Sequence, residues 1–151
     1  MRDNDDRTIL HLAQSKRAEN INNERNNKYG AIIEYLAQTA PDLITMSAKY
    51  MGTPLHYAAR HDFLDQLKFF LQQKNVFENI DTRDEGGNGA TPLQRAILNY
   101  KPRAAQLLVE NGANVTAWMW GPEHYYIIFL VSPSTFLLIL FKLYFIKRML
   151  T

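Results

Sequence analysis

No cysteine occurs in this 151-residue chain. A disulfide framework and a thiolate metal site are therefore excluded, and a reducing compartment is permitted rather than required. Nor is there a strong charge imbalance: 17 Lys and Arg against 15 Asp and Glu leave a net +2. The cations are scattered rather than clustered, so nucleic acid is not the expected partner. The amino terminus, Met1-Arg2-Asp3-Asn4-Asp5-Asp6, lacks an apolar core, and no cleavable secretory leader is expected there. Gly-x-Ser-x-Gly, His-Glu-x-x-His and the kinase set of motifs are all missing, so the chain is expected to be no enzyme and to need neither cofactor nor metal.

With 46% hydrophobic and 21% charged residues, the composition is that of a globular chain of about one domain. Its organising feature is a phrase written three times: Thr8-Ile9-Leu10-His11-Leu12-Ala13, Thr53-Pro54-Leu55-His56-Tyr57-Ala58 and Thr91-Pro92-Leu93-Gln94-Arg95-Ala96. Recurrence at intervals of 45 and 38 residues, from Thr8 to Thr53 to Thr91, marks one supersecondary unit stacked several times, with function on a shared surface rather than in a pocket. Each Thr can cap a helix, and Pro54 and Pro92 then occupy the first helical position, where no backbone N–H is missed. Leu10, Leu55 and Leu93, each followed three residues on by Ala, draw one apolar stripe. A second helix follows each time, around Ala31–Leu36, Leu64–Leu71 and Ala104–Val109.

Thr-Pro-Leu-His-x-Ala-Ala, then a helical hairpin, then Leu-Leu-x-x-Gly-Ala resembles the ankyrin repeat, whose period is about 33 residues. The third copy keeps the family's register through Leu108-Val109-Glu110-Asn111-Gly112-Ala113, and Gly112 would end its second helix. The second copy carries Lys74 where that glycine is expected. The first copy has Ile9 for the proline, and the stretch Ser15 to Asn27 reads as a lengthened inter-helix loop or a helix extension. The excess length between the second and third copies falls on the Gly- and Asp-rich tip that runs from Asn79 to Ala90. The resemblance implies an all-α ankyrin-repeat solenoid over residues 1–117, in repeats of about 3–48, 49–85 and 86–117, followed by a hydrophobic tail, helical or unstructured, over 118–151. Three repeats are near the minimum for a stack, so modest stability is expected.

Several patterns imitate chemistry. His11 and His56 stand at the family's histidine position, which implies imidazoles bonded to neighbouring turn backbone rather than to metal. His56 and His61 are five residues apart, whereas a helical zinc pair needs a spacing of four. In Asp81-Thr82-Arg83-Asp84-Glu85-Gly86-Gly87, Arg83 occupies the place of a calcium loop's second carboxylate. Gly86-Gly87-Asn88-Gly89 lacks the Lys and Ser/Thr of a phosphate loop.

In the ankyrin family the first helices and the hairpin tips line a concave face that binds another protein. Carried onto this chain, that map selects Leu12, Ser15 and Lys16, then Tyr57, Arg60 and His61, then Arg95, Leu98 and Asn99. At the tips it selects Lys49, Tyr50 and Met51, and Arg83, Asp84 and Glu85. Tyr50, Tyr57, Arg60 and Arg95 are the expected anchors, because Tyr and Arg most often carry interface energy. The expected function is noncovalent recognition of another protein by a monomeric, cytoplasmic chain.

Residues 125–141 contain no charged side chain. As a helix they would span roughly 26 Å, and extension through Ile146 would reach about 33 Å if Lys142 snorkels. A membrane pass over about 125–146 is one reading, with Trp118, Trp120, Tyr125 and Tyr126 as an interfacial belt. Lys142, Lys147 and Arg148, beyond the uncharged run that ends at Phe141, would place that end in the cytosol. A second reading folds the tail over the open end of the third repeat. A third has an AT-rich reading frame running past a truncated repeat gene. The alternative functions are accordingly a membrane-tethered adaptor and a fragment of a larger ankyrin protein.

Overall fold

The computed structural model describes residues 2–21, 25–84 and 89–115; the tail from Trp118 and the tip residue Glu85 lie outside them. The described residues form helices α1 (Ile9–Glu19), α2 (Arg25–Thr39), α3 (Pro54–His61), α4 (Leu64–Leu71), α5 (Lys74–Phe77), α6 (Pro92–Leu98) and α7 (Pro102–Glu110). A short 3-10 helix, Pro41–Ile44, follows α2. Among the described residues there is no strand, only an isolated antiparallel bridge between Ala48 and Gly52.

Successive helices pair as hairpins, α1 with α2, α3 with α4 and α6 with α7, and the hairpins stack. Stacking makes two layers, with α1, α3 and α6 side by side in one and α2, α4 and α7 in the other. The repeated apolar stripe explains this. Leu10, Leu55 and Leu93 are buried in a continuous core with Ile33, Leu67, Phe70 and Leu108, and Ala58, Ala59, Ala96, Ala104 and Ala105 let the layers approach closely.

Each first helix begins at its threonine, which is extended, with φ of −83°, −79° and −81° at Thr8, Thr53 and Thr91. Pro54 and Pro92 fill the first helical position, as expected. The side chain three residues on returns to the threonine backbone. Thr8 and Thr53 N–H groups donate to Nδ1 of His11 and His56, and Thr91 N–H donates to Gln94 Oε1. In the third copy the Gln94 N–H also donates to the Thr91 hydroxyl at 3.3 Å, completing a reciprocal cap.

The stretch from Ser15 to Asn27 extends both flanking helices: α1 runs on to Glu19 and α2 already begins at Arg25. Lys74, which stands in place of the helix-ending glycine, opens the four-residue helix α5. Gly112 does end α7. It adopts φ +92°, its N–H donates to Val109 O, and the Ala113 N–H reaches back to Leu108 O at 3.0 Å. A Cβ at Gly112 would meet nothing within 4 Å, so Gly112→Ala isolates the conformational cost. It is expected to lower stability by about 1–2 kcal/mol, read as a shift in the urea midpoint.

Candidate interaction face and the histidine ties beneath it

Two buried imidazoles join one repeat to the next. His11 Nε2 lies 2.9 Å from Gly52 O, and His56 Nε2 lies 3.0 Å from Ala90 O. A carbonyl can only accept, so Nε2 carries the proton and donates, while Nδ1 keeps its lone pair for the threonine N–H. Burial pushes His56 down from its ordinary 6.5 to about 4, against the opposing pull of the Ala90 carbonyl, and lowers His11 in the same direction. The neutral tautomer is thus built into both junctions. Gly52, at φ +69°, passes so close beneath His56 that a Cβ there would sit 2.8 Å from the imidazole Cγ, which only glycine avoids.

Further ties are polar. Gln14 and Gln66, both fully buried, share a 2.9 Å bond from Gln14 Nε2 to Gln66 Oε1, and Gln14 Nε2 also donates to Pro54 O. Arg17 pairs with Asp65 at 2.8 Å and lies over the Phe63 ring, 4.5 Å from its centroid. Asp62 Oδ1 accepts the Ala104 N–H, so the second repeat caps α7 of the third. Asp81 accepts the Asn114 N–H at 2.9 Å, and the Lys49 N–H donates to Asp5 O at 3.0 Å, joining two tips.

The residues selected from the sequence divide between fold and surface. Tyr57, at the same place in its copy as Leu12 and Arg95, is half-buried, and its ring stands 4.4 Å from His61. His61 in turn stacks on Phe63 at 5.6 Å. Arg60 and Leu12 are exposed, Ser15, Leu98 and Asn99 are half-buried, and Lys16 pairs with Glu19 at 2.7 Å. Asn99 turns its amide onto Arg95 O at 2.8 Å. At the tips, Tyr50 is exposed in the left-handed region at φ +66°, with Lys49 Nζ 5.5 Å from its ring centroid, and Met51 is half-buried.

Asp84 requires a correction. It is fully buried and pairs with Arg95, while the Arg83 guanidinium donates to Gly89 O at 2.8 Å. Asp84 therefore braces the tip from within and offers no contact surface, and Arg95, held against it, is an internal counter-ion before it is an anchor. His56 and His61 diverge as their spacing implied, one buried under the tip and the other in the ring stack. Among the described residues no three His, Cys, Asp or Glu side chains gather in a way that could hold a metal ion, and no helix is long and apolar enough to cross a membrane. Phe63, Tyr100, Lys101 and Arg103 were not singled out from the sequence. The signal for them is the connection between paired helices, where Asp62 and Tyr100 take the same place in successive copies and both have positive φ.

Comparison with known proteins agrees with this geometry. A family model described as ankyrin repeats, in 3 copies, matches residues 24–118. An ankyrin repeat protein of Rickettsia bellii (strain RML369-C) is 42% identical over 53 residues, a match that takes in 34% of this chain and 7% of that protein's length.

Proposed function

Because the chain belongs to the ankyrin-repeat family, whose repeats are generally protein–protein interaction modules, we propose that it binds a partner protein noncovalently through the outward side of α1, α3 and α6. The observation that carries this reading is the division of labour along α3. His56 is consumed by the junction to the next repeat, whereas among the described residues Tyr57, Arg60 and His61 make no hydrogen bond that holds repeats together, and all three reach solvent. Tyr and Arg in that position offer large area and planar hydrogen bonding at low entropic cost. Leu12 extends the face along α1, and Leu98 and Asn99 extend it along α6.

A photo-cross-linking side chain placed at Tyr57 should yield a protein adduct in cell extract, while the same group at exposed Lys68 on α4 should not. In Tyr57→Ala/Arg60→Ala, capture of the partner so identified should fall about a hundredfold, since two central contacts together are worth roughly 3 kcal/mol. Undiminished capture by that variant would assign binding to another surface.

A further inference from the structure

The connections between paired helices gather positive charge beside the ring stack. Among the described residues Arg60, Lys101 and Arg103 take part in no ion pair, whereas the acids of the same connections are engaged. Asp62 caps α7, Asp65 pairs with Arg17 and Glu19 pairs with Lys16. Burial, and after it the charges of Arg60 and Lys101, hold His61 below its ordinary value, which sets both cations around that ring. Tyr57, His61 and Phe63 form a continuous row of rings at 4.4 and 5.6 Å. Tyr100, next to Lys101, is 71% exposed and holds φ +54°. The positive φ belongs to the turn, which Asp62 shares in the preceding copy, while the exposed ring adds apolar surface beside Lys101.

We propose that this edge of the second and third repeats docks an acidic polypeptide segment, with carboxylates on Arg60 and Lys101 and an apolar or aromatic side chain of the same segment over the Tyr57–His61 rings. The inference rests on the reading of the first-helix side as the binding face and adds the chemistry of the occupant. A peptide fits better than a nucleic acid because the cations do not continue toward the first repeat: there the carboxylates of Asp65 and Glu19, paired with Arg17 and Lys16, are still half or more exposed. An unbroken phosphate backbone would run against those acids, whereas a polypeptide can space its charges to miss them.

The test is selection of short random displayed peptides on the immobilised full chain. Enriched sequences should be rich in Asp and Glu with an aromatic residue or Leu. A synthetic copy of the most enriched one should bind about tenfold more weakly to Arg60→Glu/Lys101→Glu, and more weakly as salt rises. Both positions reach solvent, and circular dichroism verifies that the variant folds. Neutral or basic selected peptides, or affinity unchanged by the charge reversal, would overturn the proposal. If neutral peptides emerge and lose binding in Tyr57→Ala, the face stands and the acidic occupant falls. A single-stranded RNA oligonucleotide that binds more tightly than the selected peptide, and is lost in the same variant, would overturn it in favour of nucleic acid. Absence of any enrichment also overturns it, while cross-linking at Tyr57 decides separately whether the face binds protein.

Discussion

Replacing His56 with alanine is expected to lower the unfolding free energy by about 3–4 kcal/mol at neutral pH, measured by urea denaturation followed by circular dichroism. The imidazole fills a buried site between two repeats; its loss leaves the Thr53 N–H without its Nδ1 acceptor and takes one of two donors from the Ala90 carbonyl, which keeps the Asp84 N–H. Glutamine should do much better. Gln94 already holds the corresponding place in the third copy, where its Oε1 accepts the Thr91 N–H at 2.8 Å. His56→Gln should therefore cost about 1 kcal/mol and change the pH profile. The sign follows from the depressed imidazole. With an ordinary value of 6.5 and a folded value of about 4, the unfolded chain takes up a proton first as pH falls. Stability is then full above pH 6.5 and is lost on the way down through about 4, by roughly 3 kcal/mol from this residue. His11, lowered in the same direction, adds to the same acid side. A His56→Gln profile as steep as the parent's between those values would mean that His56 is not held neutral in the fold.

Phe70→Ala should be comparably severe. Among the described residues Phe70 is the largest of the fully buried side chains, set in α4 within the core and meeting Phe69 edge to face at 6.1 Å. Removing it is expected to cost about 3–5 kcal/mol in lost transfer energy and residual cavity. Repeats couple only to their neighbours, and the core of α4 touches both α2 and α7. The loss should accordingly appear as a lower midpoint of one cooperative transition, with the first and third repeats weakened together. Phe69→Ala, at a partly buried position, should cost less. If Phe70→Ala cost under about 1 kcal/mol, the core would have to lie elsewhere.

What the sequence revealed, and what it hid, follows from the range of the interactions. Helix starts at Thr53 and Thr91 are local chemistry: an extended threonine, a proline without an N–H, and a side chain three residues on. The helix-ending glycine at 112 was equally local, and both the pattern and the structure place it at the end of α7. The stretch after Ser15 admitted a loop or helix extension because asparagine pulls both ways, and packing of α1 against α2 decided for extension. Asp84 misled because an acidic residue beside glycines reads as a solvated tip. Its burial depends on Arg95, which reaches it from the next helix. Gln14 and Gln66 stand 52 residues apart, and no local rule pairs them. Asp62 likewise caps, through its carboxylate, a helix 42 residues away. On the candidate face, the family pattern pointed to Tyr57, Arg60 and His61 as outward residues, while Lys101 and Arg103 fell outside it because they follow the first helix instead of lying on it.

Neutral histidines tie the first two helical pairs each to the tip of the next. Long-range proton–nitrogen correlation spectra of the imidazoles test it directly. His11 and His56 should each show one fixed tautomer at neutral pH, protonated on Nε2, with that proton exchanging slowly and coupled across the hydrogen bond to the carbonyl carbons of Gly52 and Ala90. Averaged tautomers with rapidly exchanging ring protons at both residues would contradict it.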